Sequence, residues 1–578
     1  MNLLSGFVWL ALSTLVLLWE GGVKAARLVD FQVAQPPPLP PDAQQCTIRI
    51  LERTFAFSFG DAEVVPFTPP TDCGESGTWT GISLNFTVTS NGTQFDRLGI
   101  FTFQNVEIWR TSTPEPTQGD GIIWTYLKDV TRYLPLFAKP GTFILQLDNL
   151  IETGLDGEYA TTLDATFFAS SAAHPPAPRA DLIVPISTFA NDTGNDASVP
   201  PAFSNAVAAY AELYASGNGN EEFWYFNVAN QFLSDLPSGT TFGQGPFREV
   251  RILVDGQVAG VAFPYAVIFT GGIIPTAWRP ITSYGAIDLP TYFLDLTPFI
   301  PILTDGSPHN ITLDVASAEA DHTINQNWFV SGLLQVLLDS SSEPTTGQIT
   351  VYNVDDFANA TSTGSAGSNG DLNVTLSATR SVHIEADIVA GSGKHTKVVF
   401  TQELKFENTQ NYLDDTSVQN VLQVSSGTVS STHNGVKVLE DTFSYPFAIN
   451  LSAVDASDIF ATFDHSYERT LLPSPFILGS TIHERQLAII HRLPPGGAFH
   501  FASTGNSGSN GTSNNTFNYV DTAGNTYDRQ VDAFANNITF DHQGGSLAPV
   551  SAVREPISIP LSQTVTKARL PGGRTVGN

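Results

Sequence analysis

At 578 residues the chain exceeds what one hydrophobic core organises, so it predicts two to four domains. Its formal charge of −30, from 26 Lys and Arg against 56 Asp and Glu, excludes a nucleic-acid binder or a partner of anionic membranes. Hydrophobic residues at 42% exclude wholesale disorder, and short β-branched and aromatic runs between 47 glycines and 37 prolines predict an all-β protein.

Residues 1–26 read as a signal peptide. Phe7–Trp19 is an apolar run too short to span a bilayer comfortably, and Ala25 and Ala26 follow at cleavage distance. The α-amino group is the only positive charge ahead of that run, so an uncleaved anchor is the alternative. Either way the chain is expected in the secretory pathway: extracellular, vacuolar or in the cell wall, and free of the membrane once the leader is cut. Residues 27–45, with the run PPPLPP, read as an extended linker. Cys46 and Cys73 are the only cysteines. In an oxidising compartment they are expected to pair, which is worth roughly 3 kcal/mol for a loop of this length. Sequons begin at Asn85, Asn91, Asn191, Asn310, Asn359, Asn373, Asn450, Asn510, Asn514 and Asn537, as in a secreted glycoprotein.

Residues 46–174 alternate apolar and polar positions, as in SLNFTVT and LGIFTF, and predict a first jelly-roll sandwich. The run HPPAPR then breaks the pattern. A second jelly roll is expected over 180–340. There Val207–Ala215 reads as a strand despite its alanines, with Glu222–Val228 as its hairpin partner across Gly217–Asn220. Phe247–Phe263 reads as a hairpin turning at Asp255-Gly256. A third β-rich region is expected over 347–562, with turns at Gly391–Gly393 and Asn434-Gly435. Ser365–Asp371 and Gly505–Asn515 read as mobile loops, and 563–578 as a flexible tail.

The sequence holds no G-x-S-x-G elbow, P-loop, H-E-x-x-H or cysteine-rich metal spacing, so no metal and no cofactor are implied. What remains is carboxylates near aromatics. Asp96-Arg97 opens a strand, and Glu107, Glu115 and Trp124 follow. Glu221-Glu222 precede Phe223-Trp224-Tyr225, and Trp278-Arg279 lie in a loop-rich stretch with Asp288. Aromatic faces on sugar rings, with carboxylates and arginines on hydroxyls, are the make-up of a carbohydrate site. Each residue also has a plain structural reading: an Asp-Arg pair as a surface ion pair, and a Trp beside Phe and Tyr as core.

QFDR with EIWRTSTPEPTQGDGIIW, then EEFWY, REVRILVDGQVAG and AWRPITSYGAIDLPTYFLDLTPF resemble, in order, segments of the peptide:N-glycosidase A family. The clear similarity covers roughly Cys46 to Val315. One departure is Ser112-Thr113, where plant members carry Ser-Cys. Phe95-Asp96-Arg97 is also similar to a Trp-Asp-Arg motif with a catalytic Asp in the bacterial peptide:N-glycosidase F family. Glu222-Phe223-Trp224 is similar to a Glu followed by Trp in that family's second jelly roll. The resemblance implies paired jelly rolls with a site at their interface, acting on N-glycopeptides or glycoproteins. It implies Asp96, Arg97 and Glu222 as catalytic residues, with Glu221 the rival of Glu222. Trp124, Trp224, Trp278, Arg279 and Glu221 are the expected substrate contacts. The expected reaction is hydrolysis of the asparagine side-chain amide. An endo-acting glycoside hydrolase and a glycan-binding protein without activity are the alternatives, and the oligomeric state is not readable.

Overall fold

The computed structural model describes residues 28–549 apart from 118, 120, 187–193, 200–202, 368–369, 456–457, 473–475 and 493–508. The predicted leader, the sequon at Asn191 and the tail 563–578 lie outside the described residues. The fold is all-β, as the turn-punctuated pattern predicts.

Two sheets form the first sandwich. A five-stranded sheet runs Leu28–Asp30, Ile122–Asp129, Gly81–Asn91, Glu158–Phe168, Gln45–Phe55 in spatial order. A four-stranded sheet runs Glu63–Phe67, Gly141–Leu147, Leu98–Phe103, Val106–Ser112. The period-two alternation explains the core. Leu84, Phe86 and Val88 point inward from one sheet and meet Phe101, Trp109 and Phe143 from the other. Phe86 sits edge-on to Phe101 at 5.0 Å, and Phe101 stacks on Trp109 at 4.7 Å. The Cys46–Cys73 disulfide ties the outer strand Gln45–Phe55 to the loop after Glu63–Phe67. Leu28–Asp30, expected as linker, instead joins the sheet in parallel with Ile122–Trp124.

The second sandwich has one sheet ordered Leu182–Pro185, Asn327–Leu338, Ala206–Asn218, Tyr292–Asp295 and another ordered Gly194–Val199, His309–Ala316, Glu249–Val254, Gln257–Ala262. Ala206–Asn218 is a strand as expected, and its small residues let it be buried on both faces. Its outward Glu212 accepts hydrogen bonds from Arg132 Nη2 (2.7 Å) and Tyr133 Oη (2.9 Å) of the first sandwich. The hairpin turn at Asp255-Gly256 is present, both residues having positive φ. Glu222–Val228 is not a hairpin partner: Gly219–Glu221 and Trp224–Phe226 are 3₁₀ turns. Both edges of Ala206–Asn218 are already taken by Asn327–Leu338 and Tyr292–Asp295, which leaves no slot for it.

From Thr346–Val354 to Asn537–Gly544 the chain builds an eleven-stranded sheet with strands of up to 20 residues. One face packs on the second sandwich, with Phe406 against Phe247 at 5.2 Å and Phe463 against Trp278 at 5.0 Å. Turns form at Asn434-Gly435 and around Gly391–Gly393 as predicted. The expected loop Gly505–Asn515 is corrected in its second half: Ser509–Asp521 is an interior strand. Some of its polar side chains pair across the sheet: Asn515 Nδ2 donates to Glu484 Oε1 at 2.7 Å and Asn514 Nδ2 to Asp532 Oδ1 at 2.9 Å. Ser365 and Ala366 likewise close the strand Asn359–Ala366. Asn91, Asn310, Asn359, Asn373, Asn450 and Asn537 are exposed, and Asn85 and Asn514 are half-buried.

Candidate active site

Three carboxylates converge where the two sandwiches meet. Asp96 ends the loop that enters Leu98–Phe103, and that loop is pinned where Tyr159 Oη donates to Phe95 O at 2.6 Å. Glu115 follows the strand Val106–Ser112 in the segment Thr113-Pro114-Glu115-Pro116, whose flanking prolines restrict the backbone. Glu222 stands on the 3₁₀ turns that leave Ala206–Asn218. The second sandwich also supplies Thr270 and Gly271. Gly271 N donates to Asp96 Oδ2 at 3.1 Å, and Ser112 Oγ lies 3.4 Å from the same oxygen and 3.1 Å from Thr270 Oγ1. A Cβ on Gly271 would lie 2.6 Å from Asp96 Oδ1 and 2.7 Å from Glu115 Oε1, so this glycine wedges between two carboxylates.

A cavity of about 90 Å³ opens here, lined by Asp96, Arg97, Ser112, Asn218 and Glu222. Half-buried Phe269 and Phe329 give it two aromatic walls. Arg97 does not grip Asp96. Its guanidinium is held by Gln94 Oε1 (2.7 Å) and Asn149 Oδ1 (3.2 Å) and acts on Asp96 through its charge.

The protonation states divide for physical reasons. Burial raises Asp96, opposed by the Gly271 N–H, the Arg97 charge and the Ser112 hydroxyl. Burial raises Glu115 to about 8, with the Asp96 charge adding and the Arg279 charge opposing. Burial raises Glu222 to about 8 as well, with Asp96 and then Glu115 adding. Negative charge on Asp96 adds to the rise of both glutamic acids, which at about 8 keep their protons at neutral pH.

The structure brings Asp96, Arg97 and Glu222 to one cavity and leaves the other anticipated contacts away from it. Glu221 is fully buried and turned inward. It accepts two hydrogen bonds from Arg248 (2.6 and 2.7 Å), one from Trp328 Nε1 (2.7 Å) and two from Asn325 (2.9 and 3.1 Å), which hold its carboxyl below the usual range. Trp124, Trp224 and Trp278 are at most 3% exposed and pack in the cores, so none offers a face to a sugar ring here. Arg279 is buried behind Glu115 and donates to Glu115 O at 2.7 Å. Sequence reasoning gave Glu115 no role and passed over Phe269, Phe329 and Gly271. The proline pair around Glu115 is the one local signal that marks a held carboxylate. The two phenylalanines carry none.

Residues 36–355 match the family described as Peptide N-acetyl-beta-D-glucosaminyl asparaginase amidase A, and residues 373–447 match the PNGase_A C-terminal domain. A curated relative, Peptide-N4-(N-acetyl-beta-glucosaminyl)asparagine amidase A of Prunus dulcis, is 36% identical over 354 residues. That match covers 56% of this chain and 59% of the relative. Two solved structures of PNGF-II align at 14% identity with TM-scores of 0.32, over 51% and 52% of this chain and 66% of theirs, a likeness too low to bear on the fold. With the family match running from the proline segment through both sandwiches, the chain belongs to the peptide:N-glycosidase A family.

Proposed function

We propose that the chain is a glycopeptide amidase. It hydrolyses the asparagine side-chain amide that carries an N-glycan, leaving aspartate in the peptide and releasing a glycosylamine. The relative from Prunus dulcis, whose name is that of such an amidase, supports the reaction class. The observation that carries the reading in this chain is the cluster Asp96, Glu115 and Glu222, in which Asp96 receives the Gly271 N–H and both glutamic acids are raised to about 8. An amide needs both a base and a proton donor. Its carbon is a poor electrophile, so a base must take a proton from the attacking water, and its nitrogen leaves only once protonated. Ionised Asp96 takes the water proton as the water oxygen bonds to the amide carbon. The C–N bond then breaks as Glu222 or Glu115 gives its proton to the nitrogen. The Arg97 guanidinium lends positive charge beside the developing oxyanion. Phe269 and Phe329 supply the faces on which the first sugar rests, in place of the tryptophans. The disulfide and the exposed sequons support a secreted, glycosylated enzyme with N-glycopeptides or glycoproteins as substrates.

The test is mass spectrometry of a defined N-glycopeptide incubated with the purified chain at mildly acidic pH. Conversion of the glycosylated asparagine to aspartate, with intact glycan released, is expected. A peptide keeping one GlcNAc would replace the amidase with a glycoside hydrolase. Binding without any change of mass would leave a lectin-like protein.

A further inference from the structure

Behind Glu115 lies an acidic group that the reaction above does not use. Leu28–Asp30 pairs in parallel with Ile122–Trp124 on the first sandwich. The next residue crosses to the second: Phe31 N donates to Pro280 O at 3.0 Å, and Thr282 N donates to Phe31 O at 3.0 Å. Gln32 Oε1 then accepts from Ile287 N at 2.9 Å. A single short strand thus clamps the segment that begins at Arg279. Arg279 Nη2 donates to Glu115 O at 2.7 Å, and the guanidinium stands 3.7 Å from Glu115 Oε2. Asp30, 1% exposed, also feels the Arg279 charge. Neither Asp30 oxygen has a hydrogen-bond partner among the described residues, the Phe31 N–H being directed at Pro280 O. A buried carboxyl with neither oxygen hydrogen-bonded is costly to keep, and a purely structural strand has no need of it.

We infer that residues 28–32 form a strap that positions Arg279 against Glu115, with Asp30 the positioning residue that divides the Arg279 charge between itself and Glu115. This rests on the amidase reading with Glu115, of the two glutamic acids, as the donor to the leaving nitrogen. The ionisable groups facing Glu115 are Asp96, Glu222, Arg279 and Tyr159, and those facing Arg279 are Glu115, Asp30 and Tyr159. Burial raises Asp30 to about 8, so at mildly acidic pH it is neutral and an asparagine imitates it. As pH rises toward 8 its charge appears, draws on Arg279 and delays the loss of the Glu115 proton. Without Asp30, Arg279 acts on Glu115 alone and that proton leaves at lower pH.

The experiment compares wild type with Asp30→Asn, and with Asp30→Ser should the amide not fold, on the same glycopeptide across pH 4.5–9. At pH 5, kcat and KM are expected within about twofold of wild type. At pH 8, kcat is expected to fall at least fivefold with KM unchanged, which displaces the alkaline limb to lower pH. Superposable pH profiles, or an equal loss at every pH, would overturn the strap. If wild type itself released no glycan, the amidase reading would fail by itself. The strap is then read from the infrared band of the protonated Glu115 carboxyl, identified by its loss in Glu115→Gln. Titration of that band at lower pH in Asp30→Asn supports the strap, and an unmoved band overturns it.

Discussion

Asp96 could be singled out in the sequence because Phe95-Asp96-Arg97 is similar to a motif of the peptide:N-glycosidase F family, and in the structure it lines one cavity with Glu222. Glu115 was visible but unassigned, because its partners Gly271 and Arg279 lie more than 150 residues away in sequence and only folding brings them near. The tryptophans misled for a related reason: aromatic residues beside carboxylates serve cores and sugar platforms alike, and only burial separates the two. Asp96→Asn is expected to lower kcat by roughly 10²–10⁴-fold, the usual range for a lost general base, with the melting temperature little changed. Gly271→Ala keeps the backbone N–H but forces Asp96 and Glu115 apart. Both are flexible side-chain ends, so the fold should accept the methyl group while kcat drops by roughly 10²-fold. Steady-state kinetics beside a thermal melt checks both variants.

At the scale of elements, Glu221 and Glu222 show what one turn does to two identical side chains. Gly219 adopts φ +58° and starts a 3₁₀ turn, so the adjacent glutamates point to opposite surroundings. A strand over this segment would also alternate them, so the sequence left the two as rivals for one role. The structure separates them: Glu221 is a structural anion with five donors, and Glu222 has none among the causes acting on its carboxyl. Arg248→Met leaves Glu221 buried beside Trp328 and Asn325 alone, and is expected to destabilise by about 3–5 kcal/mol. Chemical denaturation measures the loss. Adding Glu221→Met should restore part of it, because the uncompensated charge is then gone as well. The same element-level view explains the polar strand Ser509–Asp521. Its composition reads as loop, and strand geometry wins because its backbone pairs with both neighbouring strands and Asn514 and Asn515 donate to Asp532 and Glu484 on them.

For the whole molecule, the fold class was legible from turn residues and alternation, whereas the assignment of strands to sheets was not. Register depends on which edges remain open, and that is decided by pairings between distant segments. The carboxylate cluster also gives stability a pH dependence. Glu115 and Glu222 have folded values near 8, above the value of about 4.3 for a free glutamic acid. The unfolded chain therefore releases their protons first. Their contribution is fully present below about pH 4 and is lost as pH rises through 8. Melting temperatures measured from pH 5 to 8.5 should decline, and Glu115→Gln with Glu222→Gln should flatten that decline.

Asp96 and Glu115 come from one sandwich, and Glu222 and Gly271 from the other, so no fragment holding a single sandwich can carry the site. During refolding, secondary structure can return in each half while the reaction centre is still absent. Recovery of glycan release should therefore lag behind recovery of far-ultraviolet circular dichroism, and the lag should not change with protein concentration because both halves belong to one chain. On the amidase reading turnover would then report on assembly: the first released glycan would mark the moment the two sandwiches have closed on each other.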